Sequence, residues 1–333
     1  MRIEPVTRGR AAKLIGVALA VTVAVLLITP LIGSAHIDYS RAFARIDPDR
    51  QILFNVRLPR VLLAMLAGGA LATAGVLFQA LLRDALATPY TLGISSGASL
   101  GAVLAICFGW VRLFGFAVIW IAAFAGAAAT LVVVLGVASK SRRMSPFTLL
   151  MAGITVNSIT MAVILFLHNL SSFGESFQIV RWLMGGIDSL EYRTLAWLAA
   201  IVLPAAAYVF TKSRQWNLLA IGEQWTAVRG TSPSRLLLAG YLLGSLLTGC
   251  ITALTGPIGF VGLIVPHAIR MRFGGDHRTL IPCSFLLGGA FLAVCDTLAR
   301  TVLAPAEIPV SVITAILGGT FFIWLLRTKV ITY

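Results

Sequence analysis

The sequence predicts an all-α, polytopic membrane protein with about ten transmembrane helices. Three observations carry this. Of 333 residues, 59% are hydrophobic and only 11% are charged, under half of the ~25% usual in soluble domains. The mean hydropathy is +0.94. The apolar residues form runs approaching the ~20 needed to cross a bilayer as helix, with short polar breaks between them. The formal net charge of +14 does not indicate nucleic acid as a partner. Lys and Arg stand singly or in small groups between apolar runs, which is the pattern of positive-inside topology and points to a lipid bilayer.

A basic tail (Arg2, Arg8, Arg10, Lys13) precedes the first span at 14–33. Gly33-Ser-Ala35 resembles a cleavage site, but the apolar core is long for a signal peptide, so an uncleaved helix is expected. A polar segment of both charge signs follows at 34–60. The second span is at 61–82, Arg83-Asp84 marks a short loop, and a glycine-rich third span occupies 89–108. The fourth runs over 113–138, ahead of Lys140-Ser-Arg-Arg143, and the fifth over 149–167. A polar and aromatic connection at 168–193 contains a short helix near 177–184. The sixth span is 194–210, the seventh 236–254, the ninth 280–299 and the tenth 310–326, with a basic loop at 270–278.

The eighth is Gly256-Pro-Ile-Gly-Phe-Val-Gly-Leu-Ile-Val-Pro-His267. Pro257 and Pro266 bracket only eight residues. On a helix Gly256, Gly259 and Gly262 would share one face and admit a close neighbour. The stretch reads either as a packed piece of a transport core or as a tight interhelical turn. With the N-terminus inside, 17 Lys and Arg fall on the cytoplasmic side and nine outside. Both termini are therefore expected in the cytoplasm, and the outer side is still rich in arginine.

Catalytic chemistry is not expected. The sequence has no HExxH, no paired intramembrane aspartates, no Ser/His arrangement and no Walker A pattern. Cys107, Cys250, Cys283 and Cys295 are scattered, read as packing residues, and neither metal nor cofactor is implied. Asp296 and Arg300 lie four apart and can pair on a helix. The near-absence of carboxylates within spans argues against a stand-alone secondary carrier for a small organic solute. If the chain pumps, another chain supplies the energy. The longest polar break, 211–235, can form a short helix at 218–228 with Leu219, Trp225 and Val228 on its apolar face. It suits a partner's groove or the lipid interface. Gly97-Ala-Ser-Leu-Gly101 and Gly240-Tyr-Leu-Leu-Gly244 predict tight helix packing.

Several stretches together, in order along nearly the whole chain, resemble one family. They are Arg57-Leu-Pro-Arg60, Gln79 to Pro89, Leu92-Gly-Ile-Ser-Ser-Gly-Ala98, Leu150-Met-Ala-Gly153, Trp182-Leu-Met-Gly185, the stretch at 256–267, Ala299-Arg-Thr301 with Ala304-Pro-Ala-Glu-Ile-Pro309, and Leu325-Leu-Arg327. The family is that of the FecCD-type permeases of ABC importers for iron-siderophores, haem and vitamin B12. The resemblance implies a type II ABC importer permease in a bacterial inner membrane. It implies a homodimer, two cytoplasmic ATPase subunits and a periplasmic substrate-binding protein. It assigns Arg57, Arg60 and Arg300 to docking of that protein. It assigns Gly222, Glu223, Gln224, Trp225, Ala227 and Arg229 to coupling with the ATPase, and Ser145, Pro146 and Phe147 to the region of the cytoplasmic gate. Gly256, Pro257, Gly259, Gly262, Pro266 and His267 form its structural motif. The chain departs from the family at Ala85, where Pro is usual, at Ser311 in place of Gly, and at Thr320, where a kinking Pro is common.

Overall fold

The computed structural model describes residues 7–139 and 145–327. Arg2 and the 140–143 basic group, counted above on the cytoplasmic side, lie outside the described residues, as does Lys329. The described residues form sixteen α-helices: α1 (Arg8–Ile28), α2 (Tyr39–Phe43), α3 (Asp49–Gln51), α4 (Leu58–Leu82), α5 (Ile94–Cys107), α6 (Trp110–Phe114), α7 (Ala117–Ser139), α8 (Pro146–Leu170), α9 (Phe173–Met184), α10 (Tyr192–Thr211), α11 (Ser213–Ile221), α12 (Glu223–Val228), α13 (Pro233–Thr255), α14 (Val261–Phe273), α15 (His277–Thr301) and α16 (Val310–Arg327).

Eight of them are long and apolar enough to cross a membrane. The two remaining places in the expected ten belong to α5 and α14, with 14 and 13 residues. At ~1.5 Å per residue each covers about two thirds of a bilayer core. Folded backbone completes both crossings, at 87–93 and 256–260, and such backbone survives at depth only when protein covers it. Ala87, Leu92 and Ile258 are buried. Thr88 and Thr91 hydrogen-bond each other's backbone, and Gly186 N donates to Thr255 O at 2.8 Å.

The face at which α1 begins and α16 ends is called basal here, and the opposite face apical. α4 is the axis of the bundle, with 83% of its apolar window buried. It packs on α15, α13 and α14, α1 covers α15, and α5 packs on α7 and α8. Its contacts are backbone-close. A methyl on Gly68 would overlap the Gly288 carbonyl, and one on Gly288 would meet the Gly68 oxygen at 2.6 Å. Both GxxxG pairs pack as expected, Gly97 and Gly101 on α7 and Gly240 and Gly244 on Phe78, Leu81 and Trp216. The four cysteines are free.

Several boundaries differ from expectation. The first helix starts at Arg8, so part of the basic tail is helical. The 168–193 helix begins earlier, at Phe173, because Ser172 and Glu175 form a reciprocal capping box. The 270–278 loop shrinks to three residues between α14 and α15. The loop helix at 218–228 is two helices, parted at Gly222. α16 runs unbroken through Thr320.

Candidate functional site

The 256–267 stretch is not one helix. Gly256 ends α13 with φ 67°, Phe260 also has positive φ, and α14 begins only at Val261. Gly256, Gly259 and Gly262 therefore do not share a helix face. Gly256 abuts Trp182 O and Gly185, Gly259 stands clear of neighbours, and Gly262 lies against Leu71 O and Gly75. Pro257 O meets Gly185. Pro266 sits inside α14 without ending it. A proline has no N–H for the carbonyl four residues back, here Gly262. Gln79 Nε2 on α4 donates to that carbonyl at 3.1 Å instead, and Gln79 Oε1 accepts from Arg270 Nη2 at 2.8 Å. The Gly75–Gly262 approach is what brings this amide within reach. His267 lies against Phe321 and Phe322 of α16, which places the motif between α4 and α16.

At the apical end the three arginines are turned inward, unlike the solvent-facing docking groups the resemblance implies. Arg57 is 4% exposed; its guanidinium donates to Pro30 O at 3.4 Å and to Ala35 O. Arg300, also buried, donates to Thr29 O at 2.9 Å. Arg60 holds Asp296 bidentately at 3.0–3.2 Å, and its Nη1 pairs with Glu307 at 3.0 Å. The expected Asp296–Arg300 pair is present at 3.7 Å, with Arg60 as the closer partner. Of the three, Arg60 reaches furthest toward the surface, at the exposed Glu307.

At the basal end Arg83, in the left-handed region after α4, pairs with Glu223 of α12 at 2.7 Å. Trp225 and Val228 are exposed by 60% and 83%, while Leu219, expected on the same face, is buried with Trp216 of α11 in the core. Ile221, Trp225 and Val228 form an exposed apolar stripe; Gln224, Ala227 and Arg229 flank it and are exposed too. Gly222 supplies the break that turns this stripe outward. Nearby turns add exposed Leu86, and Phe147 is exposed at the start of α8. Ser145 accepts from Thr148 N at 3.1 Å and Pro146 occupies the first turn, so the triplet at 145–147 is the N-cap of α8.

Sequence reasoning missed Asn217, one turn before this stripe. Its Nδ2 donates to Asp276 Oδ1 at 2.9 Å, and its Oδ1 accepts from His277 N at 2.9 Å. Asp276 and His277 are buried. Burial alone would raise the Asp276 carboxyl, but hydrogen bonds from Arg278 and Asn217 outweigh it and hold it down to about 2. The adjacent Asp-His just ahead of the ninth span was an N-cap signal that the loop assignment at 270–278 passed over, while its partner 59 positions away was not visible.

Between the two ends, α8 and α16 have only 28% and 22% of their windows buried. α8 carries Thr155 and Ser158 on its open side, with Asn157 half-buried beside them. The two hydroxyls bond back to Met151 O and Ile154 O. Polar groups at that depth are costly facing lipid, so this face is the candidate wall of a pathway.

Comparison with known proteins identifies the family. The family model described as the FecCD transport family matches residues 19–328. A hemin transport system permease, HmuU of Yersinia pestis, is 37% identical, over 91% of this chain and 93% of its own. A vitamin B12 import system permease, BtuC of Citrobacter koseri, is 36% identical, over 82% of each chain. A solved metal-chelate type ABC transporter in an inward-facing conformation superposes with a TM-score of 0.84 at 30% identity, covering 95% of this chain and 99% of that one. The chain thus belongs to the FecCD transport family and is a multi-pass membrane permease of the ABC importer type.

Proposed function

We propose that this chain works as a homodimer in a bacterial inner membrane. Its apical face is periplasmic and its basal face and both termini are cytoplasmic. Two ATPase subunits seat on the basal stripe Ile221–Trp225–Val228, a binding protein docks at the apical rim, and α8 of each copy lines the path. The cargo is a metal chelate: haem, a cobalamin or a ferric siderophore. The similar HmuU and BtuC chains carry the first two in their names. The chain itself makes and breaks no bond.

One observation supports ATP drive over an ion gradient. Asp296 is the only carboxylate within the ten membrane-level helices, and it is held between Arg60 and Arg300. A carboxylate engaged by two cations at 3.0 and 3.7 Å is committed to an ion-pair cluster between α4 and α15. The docking role is assigned chiefly to Arg60, which can offer charge-assisted bonds to an acidic partner, with Arg57 and Arg300 holding its platform.

The test is reconstitution in liposomes with the partner ATPase and binding protein, using haemin, cyanocobalamin and a ferric hydroxamate as probes. ATP-dependent uptake of at least one is expected, and Trp225→Ala with Val228→Asp should abolish it. Uptake driven by an ion gradient without the ATPase would overturn the reading.

A further inference from the structure

The hydrogen bonds of Asn217 place it between the basal helices and the rest of the bundle. α11 and α12 lie across the basal face, and α11 is anchored by buried Trp216, whose Nε1 donates to Val209 O at 2.9 Å. From that anchored helix Asn217 reaches the start of α15. Its two amide atoms do opposite things there. Nδ2 donates to the Asp276 carboxylate, and Oδ1 accepts from the first backbone N–H of α15 and lies 2.6 Å from His277 Nδ1. Because that oxygen already accepts from a backbone N–H, the second contact requires a proton on Nδ1, so the ring is in its Nδ1–H form. Asp276 meanwhile caps α15 through Arg278 N at 3.0 Å. The amide is thus fixed in orientation and bonded to three groups at the turn between α14 and α15.

We infer that Asn217 is a positioning residue that makes α15 follow α11 and α12 when an ATPase displaces them. The inference rests on the reading of α11–α12 as the ATPase-facing element. Arg83–Glu223 is a second tie between α12 and α4, but both of its side chains are 38% exposed, and such pairs exchange readily with water. The Asn217 joint is shielded, and Asp276 and His277 are each 1% exposed.

The test compares amide hydrogen exchange in the complex of this chain with its partner ATPase, with and without ATP plus orthovanadate, in lipid nanodiscs. In the native complex, exchange in α11–α12 and in residues 277–283 should change together. Asn217→Asp sets a carboxylate against Asp276 and should reduce the nucleotide response at 277–283 about fivefold or more, leaving that of α11–α12 in place. Asp276→Asn keeps both the cap and the acceptor and should respond like the native complex. The swap Asn217→Asp with Asp276→Asn restores a donor–acceptor pair and should recover the response. It also serves as the folded comparison should Asn217→Asp alone fail to assemble. The inference is overturned if 277–283 stays silent in the native complex, responds normally in Asn217→Asp, or fails to recover in the swap. Silence of α11–α12 themselves, with ATPase bound, would instead remove the ATPase-facing reading beneath it.

Discussion

Gln79 shows how one side chain can sustain a helix that its own sequence would interrupt. Its amide replaces the hydrogen bond missing at Pro266 and also satisfies part of the Arg270 guanidinium. Gln79→Ala leaves both without that partner, and each orphaned buried group costs about 1–3 kcal/mol. A loss of roughly 2–4 kcal/mol is expected, read as a lowered midpoint in thermal unfolding of detergent-solubilised protein. Pro266→Ala returns an N–H to the Gly262 carbonyl, so the two substitutions together should cost less than their sum. At Asp276 the sign of the pH effect is set by a carboxyl held at about 2 against an ordinary 3.8. Its contribution is complete above the ordinary value, persists through neutral pH, and is lost as pH falls through about 2. Unfolding midpoints should therefore differ little between native protein and Asp276→Asn in the acid limit, and most at neutral pH.

At the scale of elements, close helix approach and ion pairing hold the bundle. Gly75→Val would drive a branched side chain into Gly262 of α14. Overpacking of this kind costs about 1–3 kcal/mol or more, and here it also withdraws Gln79 from its carbonyl. Loss of the folded, monodisperse species in size-exclusion chromatography is expected, whereas Gly16→Ala on α1, where an added methyl meets nothing within 4 Å, should be silent. Asp296→Asn removes the charge between Arg60 and Arg300 and should destabilise by about 3–5 kcal/mol, measured by the same unfolding assay. Much of this architecture was legible in the chain. Hydropathy located ten crossings, and spacing paired Asp296 with Arg300. The Gly256-Pro257 step was itself a helix-stop signal, and reading it as such would have moved the start of the next helix onward, to Val261. What could not be read was long-range. Gln79 and Gly262 are 183 positions apart and Arg60 and Asp296 are 236 apart. No local period reports which carbonyl lacks a donor or which arginine turns inward.

At the scale of the molecule, the two faces carry opposite kinds of surface. The basal face shows apolar side chains at Leu86, Phe147, Ile221, Trp225 and Val228, while the apical rim shows an exposed carboxylate on an arginine. A partner at the first would bind by burial and one at the second by charge. Arg60→Gln should therefore weaken binding-protein affinity at low ionic strength and flatten its salt dependence, whereas Trp225→Ala should leave that affinity unchanged. A salt titration that is identical in native protein and Arg60→Gln would remove Arg60 from docking. The two faces are not mechanically separate. α4 and α15 touch through Gly68 and Gly288 with no side chain between them, and α15 runs from the Asn217 joint to the Asp296 cluster. Asp296 lies 20 residues above Asp276, or ~30 Å along the helix. As a lever of that length, α15 tilted by ~5° would carry its far end by about 2–3 Å. That travel is comparable to the length of the Arg60–Asp296 bonds, so a small basal rotation of α15 against α4 would loosen the apical ion pair.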